Sequence, residues 1–328
     1  MYAVVITGPG GPEVLEVREV EDPVPGPEEV LVAVKAAGLN RGDIRRRQEG
    51  AFWMPPGARG DILGLEVAGV VAKVGEKVTG VPPGSRVFAL LAGGGYAQRV
   101  AVHHRMLLPI PQNLEFWEAA AIPEAFFTAH DALFRRCALQ LGERVLIHAV
   151  GSGGGSAALQ LAHQAGAYTF GTAGSQEKLA RAKVLGLDVG INYREQDFTR
   201  VVQEHTGGSG VDVVFDLVGA AYWEGNVACL RPLGRLVLVG NLSGGRWQAD
   251  LGPLLQKRLQ VHGTVLRTRS LDEKILLTQE FRRQILPLFE RSVVRPVVDR
   301  VFPWREVADA HRYLDSNANF GKVVLAVD

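Results

Sequence analysis

Cysteine is nearly absent from this chain: its 328 residues include two, Cys137 and Cys229. They lie far apart and in no metal-spaced pair, which excludes a disulfide framework and leaves two reduced structural thiols. Long apolar runs are missing as well, so no segment reads as a membrane span. Neither sign of charge dominates, with 36 Lys and Arg against 35 Asp and Glu for a formal net charge of +1. That balance gives no electrostatic case for nucleic acid or an anionic membrane surface. Met1 to Ile6 reads as a strand without the charged and cleavage regions of a signal peptide, so a cytoplasmic protein is expected. Internal repeats and low-complexity tracts are absent too.

What is present is a turn of unusual composition. The apolar run Val145-Leu146-Ile147 leads through His148-Ala149-Val150-Gly151 into Ser152-Gly153-Gly154-Gly155 and then a helical stretch from Ala157 to Gln164. Glycines permit a tight turn and let backbone approach a ligand, while free amides and the helix dipole face negative charge. A dinucleotide pyrophosphate is expected there. A glycine-rich turn alone is weak evidence, but strand-like and helix-like segments alternate after it. Strands are read near Tyr168–Thr172, Val189–Ile191, Val211–Leu217, Arg235–Gly240 and Leu259–Gly263. With the first strand these make six, a complete dinucleotide-binding sheet.

The flanks differ in character. Before about Glu124 the chain is rich in Val, Gly and Pro, with turn clusters such as Pro23 to Pro27 and Val81 to Gly84, as expected of a compact antiparallel barrel. A strand-like segment, Gly321–Val327, closes the chain. The expected fold class is α/β, a doubly wound six-stranded parallel sheet inserted in a barrel domain, with residues 1–124 and 264–328 forming one domain and 125–263 the other.

Cofactor choice turns on another absence. The usual carboxylate about 20 residues beyond the glycines binds ribose hydroxyls and repels a 2'-phosphate. Here that place holds Gly171-Thr172-Ala173-Gly174-Ser175, and the nearest acid, Glu177, is already in the next helix. Ser175 and Lys178 supply a hydroxyl, helix amides and a cation, which suit a phosphate. Taken singly, Ser175 also reads as a helix cap and Lys178 as a solvated charge. The missing acid turns the reading to NADPH.

Short segments throughout the chain resemble the zinc-free, zeta-crystallin-like quinone oxidoreductases of the medium-chain dehydrogenase/reductase superfamily, most closely the tumour-suppressor-induced branch. They include Ala36-Ala37-Gly38-Leu39-Asn40-Arg41, Ile62 to Glu66, Ala121-Ile122-Pro123-Glu124-Ala125, Thr172 to Gln176, Tyr222-Trp223-Glu224, Leu266 to Arg269 and Gly321-Lys322-Val323-Val324-Leu325. The resemblance implies that the barrel is GroES-like and catalytic and that the inserted sheet binds NADP. It implies a phosphate turn at Ser152, Gly153, Gly154 and Gly155, with Gly154 where Val is common. It places the 2'-phosphate at Ser175, Lys178 and Tyr193, and nicotinamide contacts at Asn40, Thr128, Gly240, Leu266 and Asn319. Asn40 and Thr128 are the implied catalytic residues.

Zinc-dependent members of that superfamily carry Cys and His where this chain has Asn40 and Leu65, and Glu66 alone cannot hold zinc. The structural zinc lobe with its four clustered cysteines is missing too. Without a Lewis acid the substrate must stabilise its own charge, as quinones and conjugated enones do. The expected activity is NADPH-dependent, zinc-independent quinone reduction, with enone or alkenal reduction second and a non-catalytic, regulatory or structural NADPH-binding role third. Nicotinamide is expected to face a cleft between domains. A tyrosine common in the family's cleft is replaced by Phe52 and Trp53, which read either as core or as walls favouring a flat aromatic ortho-quinone. Asp43 reads as a helix cap paired with Arg45 to Arg47, and His148 as structural. A homo-dimer or homo-tetramer is expected.

Overall fold

The computed structural model describes residues 1–50, 61–246 and 248–328, so the expected cleft residues Phe52 and Trp53 lie outside the described residues. The chain folds as two compact units, Met1–Phe127 with Leu266–Asp328, and Thr128–Val265.

The first unit starts with an antiparallel pair, β1 (Tyr2–Ile6) and β2 (Leu15–Glu19). Then come β3 (Glu29–Gly38), β4 (Glu66–Val74), β5 (Arg86–Leu90), β6 (Arg99–His103) and β7 (Leu107–Pro109). In β3, Val30, Val32, Val34 and Ala36 are buried, the period-2 pattern of a strand with one face on a core.

The second unit contributes β8 (Arg144–Ile147), β9 (Tyr168–Ala173), β10 (Val189–Asn192), β11 (Val211–Asp216), β12 (Leu230–Leu238) and β13 (Gln260–Gly263). All pair in parallel, in the order β10-β9-β8-β11-β12-β13, which is the doubly wound arrangement with β8 at its centre. Every residue of β11 is buried, as helices on both faces of a parallel sheet require. Leu146, Phe170, Ile191, Val214 and Leu236 share one cluster, each stabilising by roughly 1.5–3 kcal/mol through burial.

The chain returns to the first unit with β14 (Val298–Pro303) and β15 (Lys322–Ala326). The larger sheet there runs β14-β15-β3-β4-β5-β7, with β6 also on β3. It departs from a purely antiparallel barrel at one edge, because β14 and β15 are parallel. Helix Val307–Asp315 between them supplies the crossover that a parallel pair needs.

One strand differs from its sequence reading. β12 begins at Leu230, not Arg235, because Leu230 pairs with Val211 while Pro232, Leu233 (φ 65°) and Gly234 interrupt the local strand pattern. It ends at Leu238, after which the Val239 and Gly240 amides turn to the Asp216 carbonyl. Both cysteines are buried free thiols, and desolvation pushes each up to about 12. No helix among the described residues is long and apolar enough to cross a membrane.

Candidate active site

The glycine turn leaves the carboxyl end of β8 and opens helix Gly153–Gln164. Ser152 caps it: its hydroxyl accepts from the Gly155 amide at 3.0 Å, which leaves the neighbouring first-turn amides for a ligand. Gly155 is sterically fixed, since a Cβ there would stand 2.2 Å from the Ala149 carbonyl oxygen. Gly154 is different. Among the described residues a Cβ on it would meet Leu217 at an ordinary 3.9 Å, so its helical backbone has room for a methyl group. The surroundings, not a distorted turn, accommodate this residue.

A second anion-suited corner forms at the end of β9. Ser175 caps helix Gln176–Val184 through its hydroxyl, which accepts from the Lys178 amide at 3.3 Å. Tyr193, just past β10, lies across Gly174: a Cβ on Gly174 would be 2.6 Å from the phenol oxygen and 3.3 Å from Nε of Arg194. The phenol, the Ser175 cap and two cations of this stretch therefore come from two adjacent strand ends. Arg194 was missed in the sequence, where its position directly after Tyr193 was the available signal. Glu177, the nearest acid, is exposed on the helix.

Beneath the turn runs a buried chain of polar side chains. His148 Nε2 lies 2.6 Å from Asn226 Oδ1, and the Asn226 amide donates to Asp216 Oδ2 at 2.9 Å. Because Oδ1 only accepts, Nε2 carries the proton and Nδ1 accepts from the Thr172 hydroxyl 3.0 Å away. Asp216 closes the chain by accepting from the amides of Val218 and Gly219. Burial lowers His148 to about 4 and raises Asp216 to about 6. The imidazole is thus a neutral strut joining the ends of β8, β9 and β11, in keeping with its structural reading.

In the first unit, Asn40 precedes helix Arg41–Glu49 and its side chain enters a polar cluster. Asn40 Nδ2 donates to Glu66 Oε1 at 2.8 Å, while Lys322 Nζ donates to Asn40 Oδ1 and Glu66 Oε1, both at 2.6 Å, and to the Leu39 carbonyl at 2.7 Å. Glu66 Oε2 accepts from the Glu124 amide at 2.8 Å. An ammonium can only donate and a carboxylate only accept, so the amide has one orientation. One Nδ2 hydrogen is left over, with the Gly38 carbonyl a distant 3.5 Å away. Asn40 is more than a turn residue, and Lys322 is the group that the sequence reading passed over. A lysine inside the apolar strand Lys322–Ala326 was its visible signal.

Asp43 caps the same helix, accepting from the Asn40 amide at 3.0 Å. It also accepts from the Gly64 amide and the Tyr96 phenol, and of the expected partners Arg45 to Arg47 it is Arg46 whose charge it faces. Arg45 instead pairs with Glu49 one turn along the same helix, and Arg47 reaches Asp315 of helix Val307–Asp315. Of the other sequence-selected positions, Leu266 is buried, and Asn319 donates to the Gly321 carbonyl at 2.7 Å, both in the first unit. Thr128 and Gly240 belong to the second, where Gly240 packs so closely that a Cβ would meet the Leu217 carbonyl at 2.9 Å.

Comparison with known proteins agrees with this architecture. The family model for the alcohol dehydrogenase GroES-like domain matches residues 26–112, and that for zinc-binding dehydrogenase matches residues 153–287. A quinone oxidoreductase of Pseudomonas aeruginosa is 35% identical over 96% of this chain and 96% of its own. A 2-haloacrylate reductase of a Burkholderia species is 32% identical over 99% of this chain and 98% of its own. The spectinabilin polyketide synthase system protein NorB of Streptomyces orinoci is 38% identical over 92% of this chain, which spans 13% of that much longer protein. Among solved structures, one described as an NAD-dependent alcohol dehydrogenase superposes with a TM-score of 0.90 at 36% identity, covering 100% of both chains. The chain therefore belongs to the medium-chain dehydrogenase/reductase superfamily, with a GroES-like domain and a Rossmann-type sheet. It is an oxidoreductase of that superfamily, which uses nicotinamide cofactors.

The zinc in the second family model's name does not fit the residues found here. Asn40 and Leu65 offer no thiolate or imidazole, and the one carboxylate, Glu66, is already held by an ammonium. Among the described residues no group of His, Cys, Asp and Glu is arranged to hold a metal ion.

Proposed function

We propose that this protein reduces quinones with NADPH and without zinc. The observation that carries the reading is the Asn40–Glu66–Lys322 cluster, in which a positive charge stands against Glu66, the carboxylate beside the Asn40 and Leu65 positions. A dication brought there would meet repulsion from Lys322 and two neutral side chains. Charge that develops during reduction must then be carried by the substrate, as a phenolate or enolate does by delocalisation. The name of the Pseudomonas relative favours the quinone.

The residues fit a phosphorylated dinucleotide. Gly155 keeps the turn tight beside the free helix amides, and Ser175, Lys178, Tyr193 and Arg194 offer donors and positive charge to a 2'-phosphate. NADPH, when bound, supplies the hydride. Asn40, oriented by its two charged partners, contributes its spare N–H toward the nicotinamide side or a substrate oxygen, and Thr128, Gly240, Leu266 and Asn319 are assigned to nicotinamide contacts. Phe52 and Trp53 are assigned to a flat aromatic substrate such as an ortho-quinone. We further assign a homo-dimer or homo-tetramer built on the sheet edge at β13, where Val261 is exposed; light scattering on the purified protein checks it, and a monomer refutes it.

Conjugated double-bond reduction is the second reading, favoured by the name of the Burkholderia relative. The deciding measurement is NADPH consumption by chelator-treated protein with an ortho-quinone, a matched enone and a simple ketone. The proposal expects turnover with the quinone and none with the ketone. Preference for the enone selects the second reading, and NADPH binding without any turnover refutes both. For the cofactor, replacing Arg194 and Lys178 by Ala should lower the NADPH over NADH preference by tenfold or more, on the order of 1.4 kcal/mol. An unchanged ratio removes the phosphate assignment.

A further inference from the structure

Reduction of a quinone or enone by hydride leaves an anion, and a proton must reach it. The cluster in the first unit holds several ionisable groups, and their bonding separates them. Lys322 spends all three of its N–H bonds on Leu39, Asn40 and Glu66. Glu66 accepts at both oxygens, from Asn40 and Lys322 on one and from the Glu124 amide on the other. Asp43 is enclosed by the amides of Asn40 and Gly64 and by the Tyr96 phenol. That phenol points its proton at Asp43, and burial beside two carboxylates raises its pKa well above the ordinary value. Each of these groups is occupied in holding another.

Glu124 is not. Its backbone is fixed by the bond to Glu66, which places it one side chain away from Asn40, yet its carboxyl makes no hydrogen bond or ion pair among the described residues. It stands half-buried in the first turn of helix Pro123–His130, with Thr128 one turn further along. Around it lie the charges of Glu66, Lys322, Asp43 and Arg267, and Lys274 also feels it. Desolvation, aided by the Glu66 carboxylate and opposed by Lys322, lifts the carboxyl to about 7. A carboxyl so placed is divided between its two forms at neutral pH, as a proton donor should be.

We propose that Glu124 is the proton donor that completes the reduction. This rests on the reductase reading above. Hydride, carrying two electrons, forms a C–H or O–H bond on the acceptor. The Glu124 O–H then breaks, and its proton forms the new O–H bond of the hydroquinone, or the second C–H bond of a reduced enone. The carboxylate left behind regains a proton from water, and no further oxidant or reductant takes part.

The test compares wild type, Glu124→Gln and Glu124→Asp with NADPH and the best acceptor of the previous section, following kcat from pH 5.5 to 9. Wild-type kcat should fall as pH rises through about 7. Glu124→Gln should lower kcat about 100-fold, the usual scale of acid catalysis, flatten that limb, remove the solvent isotope effect on kcat, and leave the Kd for NADPH within twofold. Glu124→Asp should keep a limb at a shifted pH, so the idea stays testable if the Gln variant folds poorly. A Gln variant that keeps its rate and its pH limb, or one that loses NADPH binding together with rate, overturns the proposal while the reductase reading stands. Absence of wild-type turnover with every acceptor overturns both.

Discussion

Two buried polar clusters, one in each unit, meet the same need by opposite means. In the first, Glu66 and Lys322 form an ion pair 2.6 Å apart, and Asn40 is held between them. In the second, a neutral imidazole and a neutral amide link Thr172 to Asp216, and the one carboxyl is satisfied by backbone amides. A charged pair fixes orientation strongly but tolerates no loss of a member, because the survivor is left as an uncompensated buried charge. A neutral chain loses less at each link but is sensitive to any proton gained. The first arrangement suits a residue that must be aimed; the second suits three strand ends that must be kept together.

The largest expected effect tests the charged cluster. Lys322→Met should destabilise the protein by about 3–5 kcal/mol, measured by urea unfolding, and adding Glu66→Gln should recover more than half of that loss. If the double variant is no better than the single, the pair is not what makes Lys322 necessary. Next comes Gly155→Ala, whose Cβ would collide with the Ala149 carbonyl. About 1–3 kcal/mol of destabilisation and loss of NADPH fluorescence enhancement are expected. Normal binding would show that the turn shifts freely.

The neutral chain is best probed by pH. His148 has a folded pKa of about 4, below its unfolded value, so its contribution is present above about 6.5 and is lost as pH falls toward 4. Asp216, raised to about 6, acts in the opposite direction: its ionisation costs stability as pH rises from about 4 to 6. The two largely cancel in wild type between those values. In His148→Gln only the Asp216 slope remains, so the advantage of wild type should shrink by up to about 1.4 kcal/mol per pH unit below 6.5. Unfolding curves at pH 4.5, 5.5 and 7 read this, and a constant difference would mean that His148 is not held neutral. Smallest of all, Gly154→Ala should stabilise by roughly 0.5–1 kcal/mol, since a helical glycine with open space around it costs that much relative to alanine. Unchanged NADPH affinity should accompany it; weaker binding would show that the bare backbone is needed there.

Much of this was legible beforehand. The six parallel strands announced themselves through apolar runs separated by helical spacing, and β8 with its glycines is a local pattern that needs no distant partner. The family resemblance singles out Asn40 and Tyr193, and the structure sets each beside charged or polar company that the resemblance does not reveal. Lys322 and Arg194 were not found, because a lone basic residue near a strand end looks in sequence like any solvated charge. The start of β12 at Leu230 was hidden for a related reason: Pro232 and Gly234 speak locally against a strand, and only pairing with Val211 and β13 overrides them.

The sequence by itself determined the architecture and the glycine turn, since burial of alternating or continuous apolar residues and the steric freedom of glycine act over a few neighbouring positions. Only the tertiary structure decided which way the Asn40 amide faces, that Lys322 pairs with Glu66, and that the Glu124 carboxyl is left unengaged among the described residues. Residues 40, 66, 124 and 322 are remote along the chain, and hydrogen-bond direction and charge compensation exist only once folding brings such groups within 3 Å or so of one another.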